Sequence, residues 1–299
     1  MPGNGRVGGF QPLEISTPKV DFYTATTRAR AGKGATTEHA ERTFVQDIGN
    51  LWGGVFSHVS SFDDFTAGDH QPRYVLSLKD RLTGVQFGVG GTTETIRLDA
   101  SGTVCDRLRG MVYADGSNAL ERVIKSGNQN ATRLDLCADF NHPIPPYFIY
   151  EKSGTPRIKA GTMEYSETGW TYYVGSRGSD RFAKIYLYDE PHPRCNATRC
   201  EFQFRDTYAN AARDEIEAGV TLETLYKRAC NTFGISILQE MLETGDYGKF
   251  TASRAKTPDP DTLRWAWNTA FPALVRLVRD GDFNIEAFAN AVREKANTQ

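Results

Sequence analysis

The chain has 299 residues, a formal net charge of −2 at pH 7 and a sequence pI of about 6.2. A chain of this length can bury a large core, either as one large domain or as a domain with a helical appendage. The near-neutral charge excludes a protein that coats nucleic acid with its whole surface, so any contact with DNA has to be made by a local basic patch.

The cysteines and the N-terminal segment predict a cytoplasmic protein. The five cysteines are scattered and include no CxxC pair, which is typical of reduced thiols. Residues 1–10 lack the apolar segment of a signal peptide, and no apolar run approaches the ~20 residues of a membrane helix. We therefore expect neither secretion nor insertion into a membrane.

The first half of the chain predicts short strands with few helices. Residues 1–17 are rich in Gly and Pro, which indicates a flexible N-terminus. Residues 26–37 form a basic, glycine-containing loop, either a solvated surface loop or a contact to a DNA backbone. Strands are predicted at 19–23 and, separated by tight turns, at 74–78, 85–89 and 95–99, and helices at 38–52 and 118–125. Consecutive strands with tight turns favour an antiparallel or mixed sheet.

Three further stretches, 132–140, 183–188 and 198–204, alternate apolar and polar residues with a period of two. Each is predicted to be a half-buried strand with charged or phenolic side chains on its polar side. The polar sides carry an arginine with two aspartates, a lysine with two tyrosines, and a glutamate between arginines. We expect the second and third stretch to pair as a hairpin-like unit.

If these strands share a sheet, Asp135, Asp139 and Glu201 offer hard oxygen ligands for a divalent cation, with phenols nearby as nucleophiles. The alternative is a cross-strand charge ladder with Arg133 and Arg199. Positions four residues apart on a strand are ~13 Å apart, so one ion cannot reach both aspartates of an unbent strand. We therefore expect Asp135 and Glu201 to be the two carboxylates that bind one cation.

Four short motifs in this region occur in one order along the chain. They are T-R-x-D-x-x-x-D from Thr132, G-S-R-x-S from Gly175, I-Y-x-Y-D from Ile185 and R-x-E from Arg199. In this order they resemble the Rep_trans replication initiation factors, the rolling-circle initiators of certain plasmids and filamentous phages, with related conjugative relaxases. The resemblance covers about residues 131–205. The five histidines form no His-x-His pair, which fits this carboxylate-based group rather than most rolling-circle nucleases.

The resemblance implies a role for each polar residue. Tyr188 is the expected nucleophile because Tyr188-Asp189 matches the Tyr-acid pair of the family, and Tyr186 is the runner-up. Arg177 is expected to grip the scissile phosphate with Lys184 as a second cation, although both could be ordinary solvated charges. Mg²⁺ or Mn²⁺ would be the cofactor. The residues expected to bind DNA are Arg133, Arg177, Arg181, Arg199 and Arg205.

The predicted fold is α+β, with an antiparallel-rich central sheet similar to the HUH nuclease core but without its histidine pair, and a helical C-terminal region. The expected domains are a flexible N-terminus at 1–17, a catalytic nicking and joining domain at 18–206, and a helical region at 207–299. The helices are predicted at 209–218, 222–232, 235–244, 262–279 and 285–296.

The predicted function is that of a rolling-circle replication initiator, a metal-dependent, site-specific DNA endonuclease and strand transferase. Attack by tyrosine would give a 5′-phosphotyrosine intermediate that is later rejoined. The expected partners are origin DNA, single-stranded at the nick, a host helicase and polymerase, and a second copy of the chain. Two alternatives stay open: a metal-dependent nuclease that uses water, and a non-catalytic DNA-binding regulator of replication.

Overall fold

In the computed structural model, the residues described are 15–29, 34–69, 73–90, 95–127, 129–141, 143, 162–167, 169–187 and 197–235. They fall within Met1–Ser253, one of two compact units of the chain.

Ten strands in the described part of the chain form one sheet in which every neighbouring pair is antiparallel. The spatial order is β2-β3-β4-β5-β1-β6-β10-β9-β8-β7. The strands are β1 Lys19–Arg28, β2 Phe65–Ala67, β3 Leu76–Asp80, β4 Gln86–Val89, β5 Thr95–Ala100, β6 Asn130–Phe140, β7 Thr162–Tyr165, β8 Trp170–Val174, β9 Arg181–Leu187 and β10 Thr198–Arg205.

Five α-helices and one 3-10 turn complete the described residues. They are α1 Thr37–Trp52, the 3-10 turn Phe62–Asp64, α2 Gly102–Gly110, α3 Ala119–Ile124, α4 Asp206–Glu217 and α5 Leu222–Phe233. Side chains of Thr36, Asn118 and Thr221 accept hydrogen bonds from backbone N–H groups in the first turns of α1, α3 and α5. None of the described helices has the length and apolar character that a membrane crossing requires.

One face of the sheet is apolar and is covered by helices. Phe202 on β10 packs against Tyr226 and Phe233 of α5, with ring centroids 5.0 and 5.3 Å apart. On the other half of the sheet, Phe44 of α1 meets Phe87 of β4 at 5.6 Å. Because side chains alternate along each strand, this packing directs the polar residues of the same strands to the opposite face.

The predicted α+β class with a large antiparallel sheet is confirmed, and so are most of the individual elements. The strands predicted at 132–140, 183–188 and 198–204 are β6, β9 and β10, and β9 pairs with β10 as expected. The helices predicted at 209–218 and 222–232 are α4 and α5. The remaining C-terminal helix predictions lie outside the described residues apart from Ile235. The domain boundaries stay a prediction.

Two predictions about elements were wrong. The basic loop does not begin at Thr26, because β1 continues to Arg28 and pairs there with Thr95 of β5. Thr26 pairs with β5 on one side and with β6 on the other, and this pairing keeps its backbone extended. The second error is one of omission, since helix α2 and strands β2, β7 and β8 were not predicted.

Candidate active site

The polar face of β6, β10 and β9 brings four of the predicted site residues into neighbouring strands: Asp135, Lys184, Tyr186 and Glu201. In the antiparallel register, Asp135 on β6 lies opposite Gln203 on β10, and Glu201 on β10 lies opposite Lys184 on β9. Asp135 and Glu201 are therefore diagonal neighbours on the same face, a spacing that long side chains bridge. We call Asp135 and Glu201 the carboxylate pair.

Asp135 is held by two donors of the same face. Arg133 Nε donates to both carboxylate oxygens, at 3.0 and 3.1 Å, and Gln203 Nε2 donates to Oδ2 at 3.1 Å. The guanidinium of Arg133 also lies over the ring of Phe22, 4.0 Å from its centroid. The donors fix the carboxylate, which is buried and only 1% exposed.

Glu201 is the second member of the pair and is 2% exposed. Its Oε1 lies 2.8 Å from Lys184 Nζ, and its Oε2 accepts a hydrogen bond of 3.3 Å from the hydroxyl of Tyr186. Burial raises the pKa of Glu201 to about 7, and the charge of Asp135 acts in the same direction, while Lys184 lowers it. Near neutral pH, Glu201 therefore gains or loses a proton.

The half-buried character predicted for β10 was wrong. Arg199, Glu201 and Gln203 are all buried, although they lie on the polar face. Lys184 and Tyr186 of β9 reach Glu201 on one side of β10, and on the other side Gln203 of β10 donates to Asp135 of β6. Ion pairing thus replaces the water that the alternation predicted over this strand.

Asp139, the third predicted metal ligand, belongs to a separate ion cluster. Arg199 Nε lies 2.7 Å from Asp139 Oδ1, and Arg199 Nη1 lies 2.9 Å from Asp21 Oδ2. Asp21 joins this cluster at an irregularity in the pairing of β1 with β6, between Val20 and Phe22. The side chain of Arg199 is 7% exposed, so its charge is directed at two carboxylates within the protein.

The other arginines predicted to contact DNA surround the β8–β9 turn. Arg177 is exposed in this turn and pairs with Glu164 of β7. Arg181 lies over the ring of Tyr208, 4.8 Å from its centroid. Arg205 Nη1 donates to the carbonyl of Arg177 at 3.0 Å, and its Nη2 donates to Gln203 Oε1 at 2.7 Å. Gln203 therefore links the carboxylate pair to this turn.

The carboxylate pair has the donor chemistry that Mg²⁺ and Mn²⁺ prefer. Mg²⁺ is commonly bound by one or two carboxylates together with phosphate oxygens of a substrate. Carboxylates bind a metal ion in their deprotonated form, so a cation at the pair would displace the proton that burial favours on Glu201. Within the described ranges, no group of three or more His, Cys, Asp or Glu side chains is placed to hold an ion, so Asp135 and Glu201 would need ligands from the substrate.

Several residues of the site were missed or lie outside the described ranges. Tyr188 is among the residues that are not described, whereas Tyr186 is at the carboxylate pair. Gln203 and Asp21 were not predicted to take part. Alternation already put Gln203 on the polar face, but nothing in the sequence shows the pairing irregularity that admits Asp21.

The sequence matches no protein-family model and no curated protein. The fold is similar to the solved structure of a rolling circle replication initiator protein from Geobacillus stearothermophilus, with a TM-score of 0.50 and 17% sequence identity. The alignment covers 85% of this chain and 92% of that chain. At this identity the likeness concerns the fold, and it agrees with the predicted α+β class.

Proposed function

We propose that this protein initiates rolling-circle replication by nicking one strand of origin DNA and later rejoining its ends. The observation that carries the proposal is the convergence of Asp135 and Glu201 with the Tyr186 phenol and the Lys184 ammonium on one sheet face. The fold likeness to a replication initiator supports it. Carboxylates, a phenol and a cation together are the groups that phosphodiester transfer by tyrosine requires.

The reaction exchanges one phosphoester for another. A tyrosine oxygen attacks the scissile phosphorus, the bond from phosphorus to the 3′ oxygen breaks, and the products are a 5′-phosphotyrosine and a free 3′-hydroxyl. A phenol has a pKa near 10 in water, so a base has to remove its proton. Where Tyr186 is the nucleophile, Glu201, which accepts its hydrogen bond, would take that proton. The departing 3′ oxygen takes a proton back from that base, so the step releases no net proton.

Tyr188 is proposed as the nucleophile on the resemblance of residues 185–189 to the initiator motif, and Tyr186 is the alternative. Tyr186 is supported by its hydrogen bond to Glu201. Lys184, which lies 2.8 Å from Glu201, would counter charge on the transferred phosphoryl group. Asp135 and Glu201 would hold Mg²⁺ or Mn²⁺, which when bound neutralises phosphate charge and polarises the ester. Arg133 and Gln203 keep the Asp135 carboxylate oriented.

The test is formation of a covalent adduct. Purified protein is incubated with Mn²⁺ and labelled single-stranded oligonucleotides that tile the replicon around its own gene, and adducts are separated under denaturing conditions. We expect an adduct that Tyr188→Phe abolishes and Tyr186→Phe retains. The reverse pattern would assign the nucleophile to Tyr186.

A nuclease that activates water is the second candidate, because a carboxylate with a pKa near 7 can also deprotonate water. That enzyme would cut the same oligonucleotides without an adduct and would tolerate both phenylalanine variants. Salt-dependent binding without any cleavage would instead indicate a DNA-binding regulator. Origin DNA is the proposed partner in each case, whereas a helicase, a polymerase and a second copy of the chain remain predictions.

A further inference from the structure

A stacked arginine and tyrosine lie on the polar face beside the carboxylate pair. The Arg177 guanidinium carbon is 3.8 Å from the centroid of the Tyr173 ring. Tyr173 is on β8 and is half-buried, while the side chain of Arg177 is 53% exposed. The ring therefore covers one side of the guanidinium, and about half of the Arg177 side chain stays open to solvent.

One further contact holds the guanidinium, and two hold the backbone of its turn. Glu164 of β7 pairs with Nη2 of Arg177. Arg205 donates to the backbone carbonyl of Arg177 at 3.0 Å. The turn itself is closed by a hydrogen bond of 2.9 Å from Ser179 N to the Ser176 carbonyl. An arginine held in this way loses little side-chain entropy when a ligand stacks on it.

The position of the stack relates it to the proposed nicking site. Tyr173 is the register partner of Lys184, and Lys184 is the partner of Glu201. Two strand spacings of ~4.8 Å put Tyr173 about 10 Å from Glu201 along the same row. A nucleotide next to the phosphate at the carboxylate pair would have its base within reach of Arg177.

We propose that the stack of Arg177 on Tyr173 is a binding subsite for one unpaired nucleobase of a single DNA strand. Arginine planes and aromatic rings are common stacking partners of unpaired bases, and such stacking tolerates every base because each has a π face. Glu164 already compensates the charge of Arg177, which favours contact with a base over contact with a phosphate. The inference rests on the proposed function for the choice of ligand.

The test separates contact with a base from contact with the backbone. Binding of fluorescein-labelled oligothymidylate and of an abasic deoxyribose-phosphate oligomer of equal length is measured by anisotropy without divalent cations, so that no strand is cut. The variant is Arg177→Lys, which retains the charge and removes the plane. The matched control is Arg42→Lys, which alters an exposed arginine paired with Glu38 on α1.

We expect wild-type protein to bind oligothymidylate more tightly than the abasic oligomer. Stacking of one base contributes about 1–3 kcal/mol, a factor of about 5–150 in affinity. Arg177→Lys should lower the affinity for oligothymidylate by at least about fivefold and leave the affinity for the abasic oligomer unchanged. Arg42→Lys should change neither affinity. Tyr173→Leu, with its fold checked by thermal unfolding, should weaken the preference for bases in the same direction.

Equal losses for both oligomers in Arg177→Lys would show a backbone contact and would overturn the subsite. A wild-type protein without preference for bases would overturn it as well. Because binding is measured without cleavage, an intact preference for bases in a protein that never nicks DNA would refute the proposed function alone. Adduct formation without that preference would refute the stacking subsite alone.

Discussion

Raising the pH in the absence of divalent cations should destabilise the protein through Glu201. In the folded protein, burial and the neighbouring Asp135 raise the pKa of Glu201 from an ordinary value of 4.5 to about 7. The folded state therefore binds the proton more tightly than the unfolded state does. Stability that this proton contributes is fully present below about pH 4.5 and is lost as the pH rises through about 7.

The size of the effect follows from the two pKa values of Glu201. A separation from 4.5 to about 7, at about 1.36 kcal/mol per pH unit, gives a loss of about 3 kcal/mol in unfolding free energy. Glu201 is 2% exposed, so solvent screening reduces this value little. Urea unfolding of wild-type protein and Glu201→Gln across this pH range measures it, because glutamine mimics the protonated carboxyl group.

Between pH 4.5 and pH 8, wild-type protein should lose about 3 kcal/mol of unfolding free energy relative to Glu201→Gln, which cannot lose a proton at this position. Adding Mn²⁺ at pH 8 should restore stability to wild-type protein and have little effect on Glu201→Gln. The control is Glu38→Gln, which removes an exposed carboxylate on α1 and should follow the wild-type curve. Parallel curves for wild type and Glu201→Gln would refute the assignment of the raised pKa to this buried carboxyl group.

Three further substitutions probe the supports of the site. Lys184→Met should raise the pKa of Glu201 further, because it removes the nearest cation, and should move the acid limb of the pH–nicking-rate profile to higher pH, whereas Lys184→Arg should not. Gly175→Ala should lower the unfolding free energy by about 1–2 kcal/mol, measured by thermal unfolding, because φ at Gly175 is +93°. An added Cβ meets no atom closer than 3.6 Å, so the cost comes from the backbone and not from a clash. Gly178→Ala in the same turn, without a positive φ, is its control and should cost less. Arg199→Leu should lower the unfolding free energy by about 3–5 kcal/mol, measured in urea, since it leaves two carboxylates without their shared cation. Unchanged stability in that variant would indicate a surface role for Arg199.

Alternation along strands was enough to predict which residues share the polar face. Asp135, Lys184 and Glu201 follow a period of two within strands whose other residues are apolar, and burial of the apolar side fixes the register. Antiparallel pairing then makes Asp135 and Glu201 neighbours. The preference for this pair over Asp135 with Asp139 followed from strand geometry alone, and Asp139 lies with Arg199 instead.

Burial and partner choice on that face depend on tertiary contacts. The sequence does not show how many strands flank β10, and with a neighbour on each side its polar residues lose contact with water. Asp21 enters an ion cluster because the pairing of β1 and β6 is irregular beside it. Helix α2 was missed because it is short, has glycine at both ends and buries three residues, which gives a weak helical period.

The most direct test of the proposed chemistry is mass spectrometry of the protein–DNA adduct after digestion with trypsin and nuclease. Cleavage after Lys184 and Arg194 gives the peptide 185–194, which contains both Tyr186 and Tyr188. A tyrosine of this peptide should carry the 5′-phosphorylated nucleotide, and the modification should be absent in Glu201→Gln, which removes one carboxylate of the pair. Cleaved DNA with an unmodified peptide, or a nucleotide attached elsewhere in the chain, would contradict transfer to a phenol beside the carboxylate pair.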